Sequence, residues 1–204
     1  MIPIKNKKKT LEATVEEMRN FSFAYIEKYT PSKQQLKTYL LKKYLKVKIS
    51  SINKKNIVDL IDVVLEDLEK TKFINDKFYS NSKVKNLLQR GSSINKIRNY
   101  LLSKGIKDKF IKESIDKIKE RNEDQDFFSA IKICKKKKIL DKNFFFEKKI
   151  FKKKKIGPSR EEDNRPLFYK KDISILARAG FDFETSKKVM DLDKNEFLKI
   201  VRLL

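Results

Sequence analysis

Lysine is the residue type that gives this sequence its clearest chemical capacity, which is the binding of anions. The 204 residues include 51 Lys and Arg against 28 Asp and Glu, a formal net charge of +23. A charge so far from zero favours a polyanionic partner. The sequence is also rich in Ile, Asn and Phe, a bias typical of AT-rich coding, so base composition is an alternative origin for part of the lysine excess. We favour anion binding, because that bias does not explain the imbalance over Asp and Glu.

The densest cationic stretch runs from Lys132 to Lys155, where twelve lysines stand against Asp141 and Glu147. Because a lysine ammonium is a point charge, we predict phosphate contacts without sequence preference; the alternative is a solvated helix face. Interleaved phenylalanines, at 144–146 and 151, are predicted to be mostly core, with a base-stacking surface as the alternative. The predicted binding lysines are Lys132, Lys135, Lys136, Lys137, Lys138, Lys148, Lys149, Lys152, Lys153, Lys154 and Lys155.

Three more cations, Arg90, Arg98 and Lys104, complete the predicted binding residues. They fall on the polar sides of helical segments, where a concave surface would meet an acidic protein or DNA. An ordinary solvated helix face is an equally good interpretation of these three side chains.

Catalysis is disfavoured by the residue types that are absent. The sequence contains no histidine, the commonest general base and zinc ligand. Its single cysteine, Cys134, falls at helical spacing from Ala130 and Ile131 and is predicted to be a buried core thiol. We therefore predict no catalytic residues, no cofactor and a protein that is not an enzyme; a hydrolase is the disfavoured alternative.

Two acidic segments resemble metal sites only superficially. Asp191–Asn195 begins like a calcium-binding loop, but Glu196 and Arg202 stand where such a loop needs Gly and Glu. Glu123, Asp124 and Asp126 form a small cluster that capping of a helix N-terminus explains. We predict no metal site.

Helical periodicity dominates the chain. Apolar residues between Asn56 and Lys70 recur at i, i+3, i+4, i+7 and i+8, the pattern of an amphipathic helix. Ser32 and Gln35 have the capping-box arrangement. Further predicted N-caps are Asp76, Ser93 and Asp108, and the residues predicted to end helices are Gly91, Gly105 and Gly180. The predicted helices are 14–29, 32–45, 53–70, 76–90, 93–104, 108–121, 124–138, 166–179, 183–190 and 193–203.

An internal repeat sets the predicted architecture. Ser32–Lys46 aligns with Ser93–Lys107 at an offset of 61 positions, and Lys104–Ile106 matches Ala179–Phe181; chance similarity of amphipathic helices is the alternative. We predict an all-α fold of three tandem three-helix repeats forming an elongated, curved array. The predicted divisions are a basic arm at 1–13 and repeats at 14–70, 71–123 and 124–204, the last with a lysine-rich insertion near 135–165.

No stretch approaches the roughly 18 apolar residues of a membrane span, and the segment from Met1 to Met18 has no apolar signal core. We therefore expect a cytoplasmic protein without a membrane partner.

Several segments together resemble the RecX family. Phe73–Tyr79, Leu87–Gly91 and Ile97–Ile106 resemble the central motif of that family, in which a "(D/N)D" helix start precedes an "(I/L)+xxLxxKG(I/V)" helix. Ser32–Lys43 is similar to the first repeat, and Leu176–Phe181 to the "LxRxGF" ending of the third. The resemblance covers Thr14 to Met190, with two departures: Tyr44 stands in place of a glycine and Ser80 in place of the usual alanine.

The resemblance implies a regulator of RecA. Such a protein binds RecA, free and in its DNA filament, lodges along the filament groove and restrains recombinase and coprotease activity in DNA repair and the SOS response. The expected partners are RecA and single- and double-stranded DNA bound nonspecifically, with the protein a monomer. The alternative is a sequence-nonspecific nucleic-acid-binding helical module without a dedicated RecA partner.

Overall fold

A computed structural model describes residues 11–45, 54–139 and 165–204 of the chain, and side chains of the last range from Tyr169 onward. Within these ranges the regular structure is ten α-helices and no strand, so the predicted all-α class is confirmed. The helices are α1 (Val15–Tyr29), α2 (Lys33–Leu45), α3 (Lys54–Lys70), α4 (Asp76–Gln89), α5 (Ile94–Ser103), α6 (Asp108–Lys119), α7 (Gln125–Lys137), α8 (Arg165–Arg178), α9 (Phe183–Met190) and α10 (Lys194–Leu203).

The described helices belong to two compact units. Unit 1 holds the described residues up to Tyr79 together with Ser103–Lys107, and unit 2 holds Ser80–Leu102 and the described residues from Asp108 onward. The division into three tandem repeats stays a prediction.

The core of unit 1 follows from the apolar stripe of α3. Ile61, Val64 and Leu65 are fully buried, and α1 and α2 pack against them. Tyr44 is also fully buried, and its hydroxyl donates a hydrogen bond to Glu17 Oε2 at 2.9 Å. Burial and that carboxylate raise the pKa of Tyr44. The tyrosine that replaces the family's glycine is therefore a core residue with a satisfied hydroxyl.

The core of unit 2 is formed around α7, which packs against α9 and α10. Ala130 and Ile131 are fully buried, with Leu176 and Val189 from later helices beside them. Cys134 belongs to the same cluster, as predicted, and burial raises the pKa of its thiol to about 12. A thiol with such a high pKa stays protonated and is a poor nucleophile.

Helix capping agrees with the sequence at some positions and corrects it at others. Ser32 and Gln35 form the predicted capping box, with both hydrogen bonds present. Asp76 is not the N-cap of α4, because Asn75 Oδ1 accepts from the Phe78 N–H instead. Asp124 stands at the N-cap position of α7, but its side chain makes no capping hydrogen bond.

Asp76, and Asp126 from the acidic cluster, cap other helices instead. In unit 1, the Lys33 N–H at the start of α2 donates to Asp76 Oδ1 at 2.9 Å, while Ser32 Oγ donates to the Lys104 carbonyl at 2.7 Å. We call this arrangement, which ends at Gly105, the first serine junction. It ties the start of α2 to the start of α4 and to the turn after α5.

Unit 2 contains a second serine junction with the same bonds. The Ile94 N–H donates to Asp126 Oδ1 at 2.8 Å, and Ser93 Oγ donates to the Ala179 carbonyl at 2.9 Å, next to Gly180. These serines and glycines are the residues that the sequence repeat aligns. The repeat therefore corresponds to a repeated set of hydrogen bonds.

Both junction glycines have backbone angles and surroundings that other residues tolerate poorly. Gly105 and Gly180 have φ values of +74° and +91°. A Cβ atom would lie 2.5 Å from Gln34 Cβ at Gly105 and 2.5 Å from Ser93 Oγ at Gly180. Glycine is required there both for its left-handed conformation and for its lack of a side chain.

Replacing Gly180 by alanine tests the second junction. We expect the change to lower the free energy of unfolding by about 1–3 kcal/mol, because it strains the backbone and displaces the Ser93 hydroxyl. Chemical denaturation measures the effect. Ala177→Ser, at an exposed position of α8, is the control and should change stability by less than about 0.5 kcal/mol. Equal stability of Gly180→Ala and wild type would contradict the junction.

Replacing Asp126 by asparagine tests the electrostatics of that junction. Burial raises the folded-state pKa of Asp126 above its ordinary 3.8, although the Ile94 N–H lowers it and Asp182 adds a rise. The folded protein thus retains this proton to higher pH, so stability contributed by protonation is lost as pH rises through the folded-state pKa. The asparagine variant lacks this dependence.

We therefore expect the stability of wild type, measured relative to Asp126→Asn, to decline as the pH rises above the ordinary carboxyl pKa of 3.8 and through the higher folded-state pKa. Denaturation curves across this range measure the difference. Amide exchange at Ile94 is the control, because the asparagine oxygen can still accept that hydrogen bond. A difference that grows with pH would show that the carboxylate is favoured in the folded state.

Candidate anion-binding groove

A groove in unit 2 brings four of the predicted binding residues together. The ends of α4 and α10 and the second half of α7 form its walls, and its volume is about 680 Å³. The lining residues are Gln89, Arg90, Ile131, Lys132, Lys135, Lys136, Val201 and Leu204. We call this the basic groove. The α7 residues line it at positions i, i+1, i+4 and i+5, which share one side of a helix.

A glycine brings the end of α4 against α7. Gly91 has a φ of +80°, and its N–H and that of Ser92 donate to the carbonyls of Leu88 and Leu87, which ends the helix. A Cβ atom here would lie 3.1 Å from both Lys132 Cβ and the Ser129 carbonyl oxygen. The two helices therefore approach closely at this point, and Arg90 lines the same groove as Lys132.

Within the described ranges, the cations of the groove form no ion pair. The salt bridges of Arg19, Lys33, Lys37 and Arg98 lie elsewhere, and none between described residues includes a groove cation. Arg90, Lys135 and Lys136 are exposed and Lys132 is half-buried. The basic side chains in the last turn of α7 are favoured by the helix dipole. Their mutual repulsion nevertheless makes the groove a site that an external anion would stabilise.

The other predicted residues have different surroundings. Lys137 and Lys138 are exposed at the end of α7 but do not line the groove. Arg98 forms a salt bridge with Asp108 at 2.9 Å, in which both side chains are more than half exposed. Such exposed pairs contribute little stability, but the pairing compensates the charge of Arg98. The predicted lysines Lys148, Lys149, Lys152, Lys153, Lys154 and Lys155 lie outside the described residues.

Lys104 lies in unit 1, in a second groove of about 370 Å³. Its other lining residues are Tyr25, Gln34, Gln35, Thr38, Tyr39, Lys42 and Ser103. The rings of Tyr25 and Tyr39 stack with their centroids 4.2 Å apart and 13° between their planes. This tyrosine pair cannot be recognised from the sequence, because the two residues are on different helices and only the packing of α1 on α2 brings them together.

Comparison with known proteins supports the resemblance that the sequence motifs indicate. No family model matches the sequence. Over 175 residues the chain is 25% identical to the regulatory protein RecX of Myxococcus xanthus (strain DK1622), covering 85% of this chain and 84% of that protein. The resemblance to the RecX family is confirmed.

Solved structures agree on the fold. RecX from Lactobacillus salivarius superposes with a TM-score of 0.58 at 14% identity, covering 93% of this chain and 97% of that one. A second crystal structure of a regulatory protein RecX gives a TM-score of 0.54 at 16% identity, covering 87% of this chain and 74% of that one. The fold is therefore similar to that of these two RecX structures.

The second departure from the RecX motif is accommodated like the first. Ser80, which replaces the usual alanine, is fully buried, and Ser114 Oγ donates to its hydroxyl at 2.9 Å. Ser80 Oγ in turn lies 3.4 Å from the Phe110 carbonyl, to which it donates. The extra hydroxyl is thus paired with polar groups of α6.

The acidic segment after α9 has structural partners of its own. Asp193 accepts hydrogen bonds from the N–H groups of Asn195 and Glu196 and caps α10 in a capping box. Asp191 accepts from the Tyr169 hydroxyl at 3.1 Å. Over residues 11–45, 54–139 and 165–204 no group of three metal-binding side chains occurs. Across the same residues, no helix is long and apolar enough to span a membrane.

Neutralising two groove lysines tests anion binding. We expect Lys135→Gln combined with Lys136→Gln to weaken binding to a single-stranded oligonucleotide or to heparin. The slope of log affinity against log salt should become shallower by roughly 1.5, as expected for two lost phosphate contacts. Fluorescence anisotropy across a salt series measures both.

The matched control is Lys170→Gln combined with Lys171→Gln, which removes the same charge from exposed positions of α8 outside the groove. This variant should keep most of the wild-type slope. Equal losses in the two variants would show that only net charge matters and that the groove is not a site.

Proposed function

We propose that this protein binds RecA and RecA–DNA filaments and lowers their recombinase and coprotease activities. The resemblance to regulatory RecX proteins in sequence and fold supports this function. The basic groove is the observation that links this function to particular residues. Four cations line it, and none of them has an acidic partner among the described residues.

Binding, and not catalysis, is the mode of action that the side chains support. The sequence has no histidine, and the one thiol is buried with a raised pKa. Surface cations and grooves, by contrast, are available in both units. A regulator of this kind acts by its differential affinity for states of the filament, since a ligand that binds two states equally shifts neither.

The groove cations suit an acidic, extended target. Lysine and arginine side chains contribute to affinity for phosphate and carboxylate groups without reading base sequence. On this proposal the protein contacts both RecA and DNA as a monomer in the cytoplasm, within DNA repair and the SOS response. The same proposal includes the predicted binding lysines beyond residue 139, which would add contacts to RecA or DNA.

The second candidate function is a sequence-nonspecific nucleic-acid-binding module without a RecA partner. The groove with Lys42, Lys104 and the stacked Tyr25–Tyr39 pair favours it, because aromatic side chains and cations together suit single strands. The two candidates differ in whether RecA contributes to binding in the absence of DNA.

Titration into RecA on single-stranded DNA tests the proposed function. We expect ATP hydrolysis and strand exchange to fall at stoichiometric or lower ratios of the protein to RecA. The variant with glutamine at positions 90, 132, 135 and 136 should need several-fold more protein, while the Lys170→Gln, Lys171→Gln control should behave as wild type. Circular dichroism of both variants should stay helical.

Unchanged RecA activity across a broad titration at moderate salt would contradict the proposal. Binding to nucleotide-bound RecA without DNA separates the two candidates. An affinity for DNA-free RecA supports the RecA regulator, whereas binding to DNA alone supports the nucleic-acid module.

A further inference from the structure

The basic groove has an aliphatic floor as well as a cationic rim. We propose that it docks a segment of an acidic protein in which an aliphatic side chain is flanked by carboxylates. This inference rests on the proposed function and names the chemistry of the partner that the groove receives.

The floor supports a protein ligand over a nucleic acid. Its accessible part is formed by Val201, which is half-buried, and Leu204, which is 48% exposed, above the fully buried Ile131. Covering this apolar surface is favourable for a leucine or isoleucine side chain. A phosphodiester backbone has no comparable group. None of the lining residues that the structure describes is aromatic, so the groove offers no ring on which a base could stack.

The rim supports carboxylates on either side of that side chain. Arg90 is at one wall, and its planar guanidinium can bind a carboxylate through two hydrogen bonds. Lys132, Lys135 and Lys136 follow along α7. The Gln89 amide, next to Arg90, adds a donor and an acceptor suited to a peptide backbone.

The dimensions suit a short segment with one buried side chain. A volume of about 680 Å³ lies within the range of cavities that enclose small ligands or a few residues. An apolar anchor at the centre of a polar rim is a common arrangement at protein interfaces.

Two labelled peptides of equal charge test the proposal on the full chain. Each has four glutamates, and they differ only in a central pair of residues, which is leucine in one and serine in the other. We expect the leucine peptide to bind about tenfold more tightly in fluorescence anisotropy, because only it covers the floor. A single-stranded oligonucleotide serves as the third probe.

A matched pair of variants assigns the effect to the groove. Leu204→Ser should reduce the leucine peptide to the affinity of the serine peptide and weaken oligonucleotide binding far less, because phosphate groups contact the cations and not the floor. Leu203→Ser removes a neighbouring leucine that is 80% exposed and does not line the groove, so it should keep the tenfold preference.

Equal affinity for the two peptides would overturn the proposal, as would a preference that survives Leu204→Ser. Oligonucleotide binding that competes with the leucine peptide and falls as much with Leu204→Ser would overturn it in favour of a phosphate site. The RecA titration is independent of these results. If the protein shows the tenfold preference but has no effect on RecA, the proposed function is contradicted and the assignment of the groove as a peptide site still holds.

Discussion

Repulsion among its like charges is the reason that the basic groove favours binding of an anion. Arg90 and Lys132 line the same groove because α4 ends at Gly91, where a Cβ atom would meet the backbone and side chain of α7. Packing in the core of unit 2 must offset the cost of holding these charges together. An anion that binds the folded groove and not the unfolded chain recovers that free energy, so binding and stability are linked.

The serine junctions explain how the groove keeps its geometry. Asp126, at the start of α7, accepts the N–H of Ile94, and Ser93 beside it donates to the carbonyl of Ala179. The helix that carries the groove lysines is thereby tied to α5, and α5 to the turn after α8. Unit 1 uses the same bonds at Ser32. The repeated bonds show that the sequence repeat preserves contacts between helices as well as helix patterns.

The sequence was sufficient for the fold class, the helix positions and the buried cysteine, because these depend on local periodicity and on composition. It was not sufficient for the carboxylates at positions 76 and 126. Local rules assign an acid at a helix start to its own helix, whereas these two cap helices distant in sequence. Charge density predicted Lys132 and its neighbours as a binding surface, but the pairing of Arg98 with Asp108 and the grouping of Arg90 with α7 depend on tertiary packing.

We propose that the basic groove contacts the RecA filament. An image reconstruction of the protein bound to RecA on single-stranded DNA would show whether it does. We expect density from an acidic segment of RecA to fill the groove beside Arg90 and Lys132. A bound complex in which this groove faces solvent, with the contacts made elsewhere, would show that the groove does not bind the filament.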